Sequence, residues 1–148
     1  MTQRDIQKAR GVLSNFLNAL NADDYEAAYD YTRCAWRSGM PKPEAVQWLG
    51  EMFVSKFNNY SLSKGKRKPD GRLEITIVHN AFDPGAHGGN SKIFNYADVV
   101  RERGSEPAPG ESDTEDGTWG VDPYSILRTA LLIMIQEGSS QGHPREDS

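Results

Sequence analysis

The chain has 148 residues, the usual size of one domain and enough to bury a core without disulfides or metals. A formal net charge of −4 gives no global attraction for nucleic acid or for an anionic membrane, so we expect neither as a partner. The single cysteine, Cys34, excludes an intrachain disulfide, and the polar N-terminal residues lack the apolar stretch of a signal peptide. We therefore expect a cytoplasmic protein.

The N-terminal part of the chain carries the 3.6-residue period of amphipathic helices. Apolar residues at three- and four-residue steps predict a helix over Arg4–Leu20. Asp23 and Glu26 have the spacing of a capping box, in which Asp23 accepts from the backbone and Glu26 reaches back. This pattern predicts a short second helix that runs to about Arg33.

A third helix is predicted after the Gly-Pro break that follows residue 38. Pro43 suits the first helical position, where a missing backbone N–H costs nothing. The helical period then continues until Asn58 and Asn59, which indicate its end. Its expected buried face consists of Val46, Leu49, Phe53, Val54 and Phe57.

The period changes to two after the third helix, which is the alternation of β-strands. Apolar and polar residues alternate over 73–78, and Ser91–Arg103 and Thr118–Val121 also have the composition of strands. Tyr60–Lys64 forms a further short strand in this interpretation. The turn signature Pro69–Gly71 indicates that the basic run before it is a hairpin tip rather than a phosphate site.

The remaining segments define the domain organisation. Gly104–Gly117 is acidic and contains no apolar anchor, so we expect a mobile loop. Asp122 and Pro123 favour a capped helix over 123–137, although the apolar run within it also fits a strand. Residues 1–137 then form one domain, and residues 138–148 form a disordered tail.

Three phrases of the sequence resemble the nuclear transport factor two-like superfamily, also called cystatin-like: Phe16–Leu20, Asp24–Tyr29 and Gly117–Asp122. The resemblance covers roughly Arg4–Arg128. It implies an α+β fold in which N-terminal helices pack on a curved antiparallel sheet to form a cone-like roll. It also implies a conical pocket between helix and sheet, and dimers formed through the open sheet face. No catalytic signature comes with it.

Residues that face inward in such a cone would line the pocket. On this interpretation the lining consists of Tyr29, Phe53, Phe57, Ile75, Ile77, Tyr96 and Trp119. By alternation His79 shares the face of Ile75 and Ile77, so it is a candidate general base. Asp30 and Tyr31 on the second helix are candidates to polarise a carbonyl group and move a proton.

Each candidate also has a simpler interpretation. A histidine at the end of a strand is commonly bonded to backbone or water, and helix tyrosines commonly pack in the core. His79, Asp83 and His87 have side chains that suit a divalent metal, but the Pro84–Gly89 stretch around them is typical of a turn. We therefore expect no metal and no cofactor.

The apolar run near the C-terminus predicts self-association. Neither a helical nor a strand period can bury all of it within one domain. The expected contact residues are Leu131, Leu132, Ile133 and Ile135. We expect a non-catalytic binding or assembly module rather than an enzyme. It would form a homodimer and bind a small hydrophobic ligand or a protein partner. The alternative is a small lyase, isomerase or cyclase that acts on a hydrophobic, carbonyl-bearing ligand in the cone pocket.

Overall fold

The computed structural model describes residues 3–54, 56–82, 90–102 and 117–127. The helices come first and the strands follow, and the elements are α1 Gln3–Asn21, α2 Tyr25–Asp30, α3 Cys34–Arg37, α4 Lys42–Met52, β1 Asn58–Leu62, β2 Lys66–Arg67, β3 Leu73–Phe82, β4 Asn90–Glu102 and β5 Thr118–Asp122. The helices contact a strongly curled antiparallel sheet, a half-barrel, so the predicted α+β class is confirmed. The predicted mobile loop and tail lie outside the described residues, apart from Gly117.

Helix α1 provides the apolar stripe on which the sheet packs. It begins at Gln3 and ends at Asn21, one residue beyond each predicted end. Its buried residues are Ala9, Val12, Leu13, Phe16, Leu17, Ala19 and Leu20. These side chains fill the concave side of the sheet and form the centre of the hydrophobic core.

The predicted cap of α2 is wrong by one residue. Asp24 is the N-cap, and its side chain accepts a hydrogen bond from Ala27 N at 3.1 Å. Asp23 has a left-handed backbone with φ 58°, which turns its carboxylate toward Tyr25 and Lys56 instead. An N-cap needs negative φ, so the backbone conformation decided between two adjacent aspartates.

Helix α4 is shorter than predicted. It ends at Met52, because Phe53 leaves the helical region with φ −108° and ψ 63°. Phe53 and Phe57 are both buried as predicted, but an irregular segment carries them, and Val54 between them is 72% exposed. The prediction that Val54 belongs to the buried face is therefore wrong, since it assumed an unbroken helical period.

The sheet has the strand order β1-β3-β4-β5, with β2 paired on β3, and every pairing between these strands is antiparallel. The long β3–β4 pair runs from Leu73 opposite Val99 to Phe82 opposite Asn90. The predicted turn after the basic run is confirmed: Lys68 N donates to Arg72 O at 2.8 Å, with Gly71 at φ 92°. The paired strands give the sheet an inner face, which lies toward α1, and an outer face.

The outer edge of β5 is covered by the chain segment between α2 and α3. Arg33 N donates to Val121 O at 2.8 Å, and Val121 N donates to Tyr31 O at 2.9 Å, so residues 31–33 run parallel to β5. This pairing ends α2 at Asp30, before the predicted Arg33, because the following backbone groups bond to the sheet.

A helical turn follows β5. Residues 123–127 are helical, and Asp122 Oδ1 accepts from Tyr124 N at 3.1 Å, which confirms the predicted cap. The rest of the predicted C-terminal helix, including Leu131, Leu132, Ile133 and Ile135, lies outside the described residues.

Candidate functional site

A buried polar pair interrupts the apolar inner face of the sheet. His79 on β3 lies opposite Ile93, and Asn95 on β4 lies opposite Ile77, so the two polar side chains are diagonal neighbours on one face. His79 Nε2 and Asn95 Oδ1 are 2.6 Å apart, and the residues are only 6% and 5% exposed. The predicted inward position of His79 is therefore what the structure shows, and its partner is a side chain.

The hydrogen bond from His79 Nε2 to Asn95 Oδ1 defines the tautomer of His79. An amide oxygen can only accept, so Nε2 carries the proton in this bond. In the neutral imidazole Nδ1 is then a bare acceptor. Nδ1 is buried and has no hydrogen-bond partner among the residues that the structure describes. The pair thus presents one unused lone pair inside the protein.

The ring of Phe57 packs against this imidazole. The two ring centroids are 4.8 Å apart, with an interplanar angle of 58°. Asn21 at the end of α1 holds the backbone of Phe57 from both sides: its Nδ2 donates to Phe57 O at 3.1 Å, and its Oδ1 accepts from Phe57 N at 2.8 Å. An asparagine side chain thus positions the aromatic cover of His79.

The cover continues as a chain of aromatic rings. Phe53 lies 6.4 Å from Phe57, 6.0 Å from Phe16 and 6.3 Å from Trp48, measured between centroids. Trp48 in turn contacts Trp36 at 5.6 Å. The contacts of Phe53 with Phe16 and with Trp48 are edge-to-face, a geometry that stabilises a packed core. Among the described residues, Phe53 is thus packed against three other aromatic rings.

The predicted pocket-lining residues have three different positions. Phe53, Phe57, Ile75, Ile77 and Trp119 are buried in the core. Tyr29 is half-buried against Trp36, with Lys42 Nζ above its ring. Tyr96 projects from the outer face, because its position opposite Thr76 is out of phase with Ile75 and Ile77.

The other predicted acid–base residues are not joined to His79. Asp30 O accepts from Arg37, and Tyr31 O accepts from β5, so the backbones of both residues anchor the segment after α2. Among the described residues, the hydrogen bonds and ring contacts of His79 lead to Asn95 and Phe57. Sequence reasoning missed Asn95; only the register between the two long strands places it beside His79.

The outer face of the sheet exposes two aromatic side chains side by side. Phe94 is 47% exposed and Tyr96 is 40% exposed, and they are separated by one residue on β4. Val78 and Thr76 lie opposite them on β3 and are half-buried. These four residues, which we call the outer patch, form the centre of the β3–β4 surface.

An open groove of about 280 Å³ lies at the other end of the sheet, between the β2–β3 turn and the ends of β4 and β5. Its Arg101 guanidinium stacks on Trp119 at 4.7 Å from the ring centroid and pairs with Asp5 of α1 at 2.8 Å. Arg101 therefore joins α1 to the sheet, and we assign this cation a structural role.

No cluster of three His, Cys, Asp or Glu side chains suited to a metal occurs in the part of the chain that the structure describes. Asp83 and His87 lie outside it. Within that same part, no helix is both long and apolar enough to span a bilayer. Comparisons with protein-family models, curated proteins and solved structures found no match to this chain.

Proposed function

We propose that this protein is a nuclear transport factor two-like binding or assembly module that forms a homodimer through the outer face of its sheet. The observation that carries the proposal is the outer patch, where Phe94 and Tyr96 are 47% and 40% exposed next to each other. A contiguous apolar patch on a sheet face commonly marks a protein interface. The aromatic filling near Phe53 supports a module that binds through its surface.

Face-to-face contact is favoured over edge pairing. One edge of the sheet, at β5, is already bonded by residues 31–33. The opposite edge, β1, is short, and its register against β3 shifts between Asn58 and Ser61. Short or irregular edges and covered edges resist the addition of another strand. The outer patch is then the surface through which two sheets can stack.

The charges around the outer patch favour a second copy of this chain as the partner. Lys92 lies beyond Phe94 at one end of the outer row of β4. At the other end Asp98 is buried and pairs with Arg72, so the more exposed acid there is Glu74 on β3, which pairs with Lys68 at 3.4 Å. A two-fold axis across the strands would place Lys92 of each copy near the acidic end of the other. Each such rim contact adds at most about 1 kcal/mol, so it selects the orientation rather than the affinity.

Sedimentation equilibrium of the purified full chain tests the proposal. We expect a dimer at micromolar concentration, and we expect Phe94→Ser with Tyr96→Ser to raise its dissociation constant at least about tenfold by removing the apolar centre. Both side chains are partly exposed, so the fold should persist, as circular dichroism will check. Val54→Ser is the matched control, because it removes an exposed apolar side chain that is not on the sheet.

A monomer that persists at high micromolar concentration would contradict the proposal. A dimer that tolerates the double substitution but dissociates with Leu132→Asp and Ile133→Glu would also contradict it, since the contact would then be the C-terminal apolar run. The alternative function, a lyase, isomerase or cyclase, has less support, because no described hydrogen bond or ring contact joins Asp30 or Tyr31 to His79.

A further inference from the structure

We propose that the open groove at the end of the sheet binds a small soluble molecule that carries a phosphate group, and that Arg67 holds this group. The groove has a volume of about 280 Å³ and is lined by Arg67, Asp70, Gly71, Val100, Arg101 and Trp119. None of these lining residues comes from a helix, and none belongs to the outer patch. The proposal therefore does not depend on dimer formation.

The strand register brings two guanidinium groups to this groove. Arg67 lies opposite Leu73, and Leu73 lies opposite Val99, so the side chains of Arg67 and Val99 project from the same face of the sheet. Arg101 is two residues after Val99 on β4 and therefore shares that face. The groove thus has an arginine from β2 on one wall and an arginine from β4 on the other.

The groove forms because the β3–β4 pairing stops before β4 ends. The last pair is Leu73 opposite Val99, whereas β4 continues to Glu102 and pairs there with β5. The chain before β3 turns at Gly71, whose φ is 92°, and a Cβ atom at this position would meet no atom within 4 Å. This turn leaves the space beside the end of β4 open to a ligand.

Arg67 is the cation of the groove that an anion can reach directly. It is exposed, and within the described ranges no acidic side chain pairs with it. Asp70, the acid in the lining, pairs with Arg72 at 2.7 Å, and Arg101 pairs with Asp5 at 2.8 Å. An anion in the groove therefore meets Arg67 without displacing an existing partner.

The two arginine walls favour a phosphate group over a carboxylate. A guanidinium group donates two parallel hydrogen bonds to oxygens of either anion. A phosphate ester carries about −1.5 to −2 charges at pH 7 and has three terminal oxygens, so it can bond to Arg67 and still face the positive charge of Arg101. Arg101 keeps its contact with Trp119 and provides a fixed wall. The volume of about 280 Å³ suits a small ligand.

The basic run of the sequence does not by itself indicate this site. Lys66 lies opposite Glu74, so by alternation its side chain is on the other face of the sheet from Arg67. Lys68 pairs with Glu74 at 3.4 Å. Only Arg67 of the run lines the groove, and the second arginine comes from a distant strand. The confirmed hairpin turn and the proposed site are therefore compatible.

The probe is inorganic phosphate, added to the ¹⁵N-labelled full chain at constant ionic strength. We expect it to shift the indole N–H signal of Trp119 saturably and to bind at least about tenfold more tightly than acetate. Arg67→Gln should weaken phosphate binding at least about tenfold, and Arg67→Lys should weaken it less, because the charge remains but the paired donors are lost. Lys66→Gln is the matched control: it removes a neighbouring charge from the opposite face and should change binding less than about twofold.

Equal binding of phosphate and acetate, shifts that do not saturate, or equal losses in Arg67→Gln and Lys66→Gln would each overturn the proposal. Retention of the chain on vesicles that contain phosphatidic acid, lost in Arg67→Gln, would identify a lipid surface and overturn the assignment of a soluble ligand. Both positions are exposed, so the variants should fold, as circular dichroism will check. Sedimentation of the same samples reports the dimer separately, so failure of this site and failure of the proposed function are distinguishable.

Discussion

The backbone of Arg33 lies directly against Gly120. A Cβ atom at position 120 would be 2.5 Å from Arg33 Cα and 2.8 Å from Thr32 O, closer than real Cβ atoms come to such neighbours. This approach allows Arg33 N to bond Val121 O and thus covers the edge of β5. Glycine is required here by contact with another backbone segment.

We expect Gly120→Ala to reduce the free energy of unfolding by about 1–3 kcal/mol or more, because backbone atoms on both sides must move. Gly11→Ala is the matched control: a Cβ there meets no atom within 4 Å, and the residue lies inside α1. That substitution should stabilise the protein by about 0.5–1 kcal/mol. Urea unfolding of the two variants measures both effects, and equal effects of the same sign would contradict the packing of residues 31–33 on β5.

Glu102 at the end of β4 holds the start of α3. Its Oε2 accepts from Arg33 Nε at 3.2 Å and from Nη2 at 2.9 Å, and its Oε1 accepts from Cys34 N at 2.7 Å. We expect Glu102→Ala to cost about 1.5–3 kcal/mol, and Glu102→Gln less, because an amide oxygen still accepts. Glu51→Ala, an exposed position in α4, should stay within about 0.5 kcal/mol. A loss for Glu102→Ala as small as that control would show that the carboxylate is not a cap in solution.

Phe53 and Phe57 anchor the irregular stretch after α4 to the core. Both are 5% exposed, and Phe53 contacts rings from α1 and α4. Replacing either phenylalanine by alanine leaves a cavity, so we expect each change to cost about 3–5 kcal/mol. Val54→Ala, between them but exposed, should have little effect. Thermal or denaturant unfolding measures the stability of the three variants. A loss for Val54→Ala as large as the losses for Phe53→Ala and Phe57→Ala would contradict this prediction.

The carboxylate of Asp23 should show an acid-shifted titration. The hydrogen bond from Lys56, and then that from Tyr25, hold the pKa of Asp23 below its ordinary value. A carboxyl with a lowered folded pKa stabilises the protein above its unfolded pKa of about 4, and this contribution is lost as the pH falls through the lower folded value. The hydrogen bond to Asp23 also raises the pKa of the Tyr25 hydroxyl. The contribution of Tyr25 to stability is therefore present at neutral pH and is lost only as the pH rises into the alkaline range.

Lys56→Met should therefore raise the pKa of Asp23 toward its ordinary value, as followed by the carboxyl ¹³C shift of Asp23 between acidic and neutral pH. Lys42→Met is the control, because the Lys42 ammonium lies over the ring of Tyr29 and not at Asp23. An identical midpoint in the unmodified protein and in Lys56→Met would show that the pair does not form in solution.

Periodicity predicted the regular elements well and their boundaries less well. Several residues carry the apolar stripe of α1 and the alternation of β3, so one residue that departs from the period does not change the prediction. The end of α4 and the cap of α2 depend on the backbone angles of one residue each, Phe53 and Asp23, and neighbouring side chains from elsewhere in the chain influence those angles.

The α+β class, the inner position of His79 and the turn that reverses the chain before β3 could all be predicted from the sequence, because each depends on local period or turn chemistry. The contacts of His79 follow only from the tertiary structure, since its partner Asn95 comes from another strand, whose register depends on all the cross-strand pairs at once. The tertiary structure likewise places Tyr96 on the outer face and requires that Gly120 be a glycine. Each of these depends on a distant segment of the chain, and hydrophobic pattern along one segment carries no information about its neighbours in space.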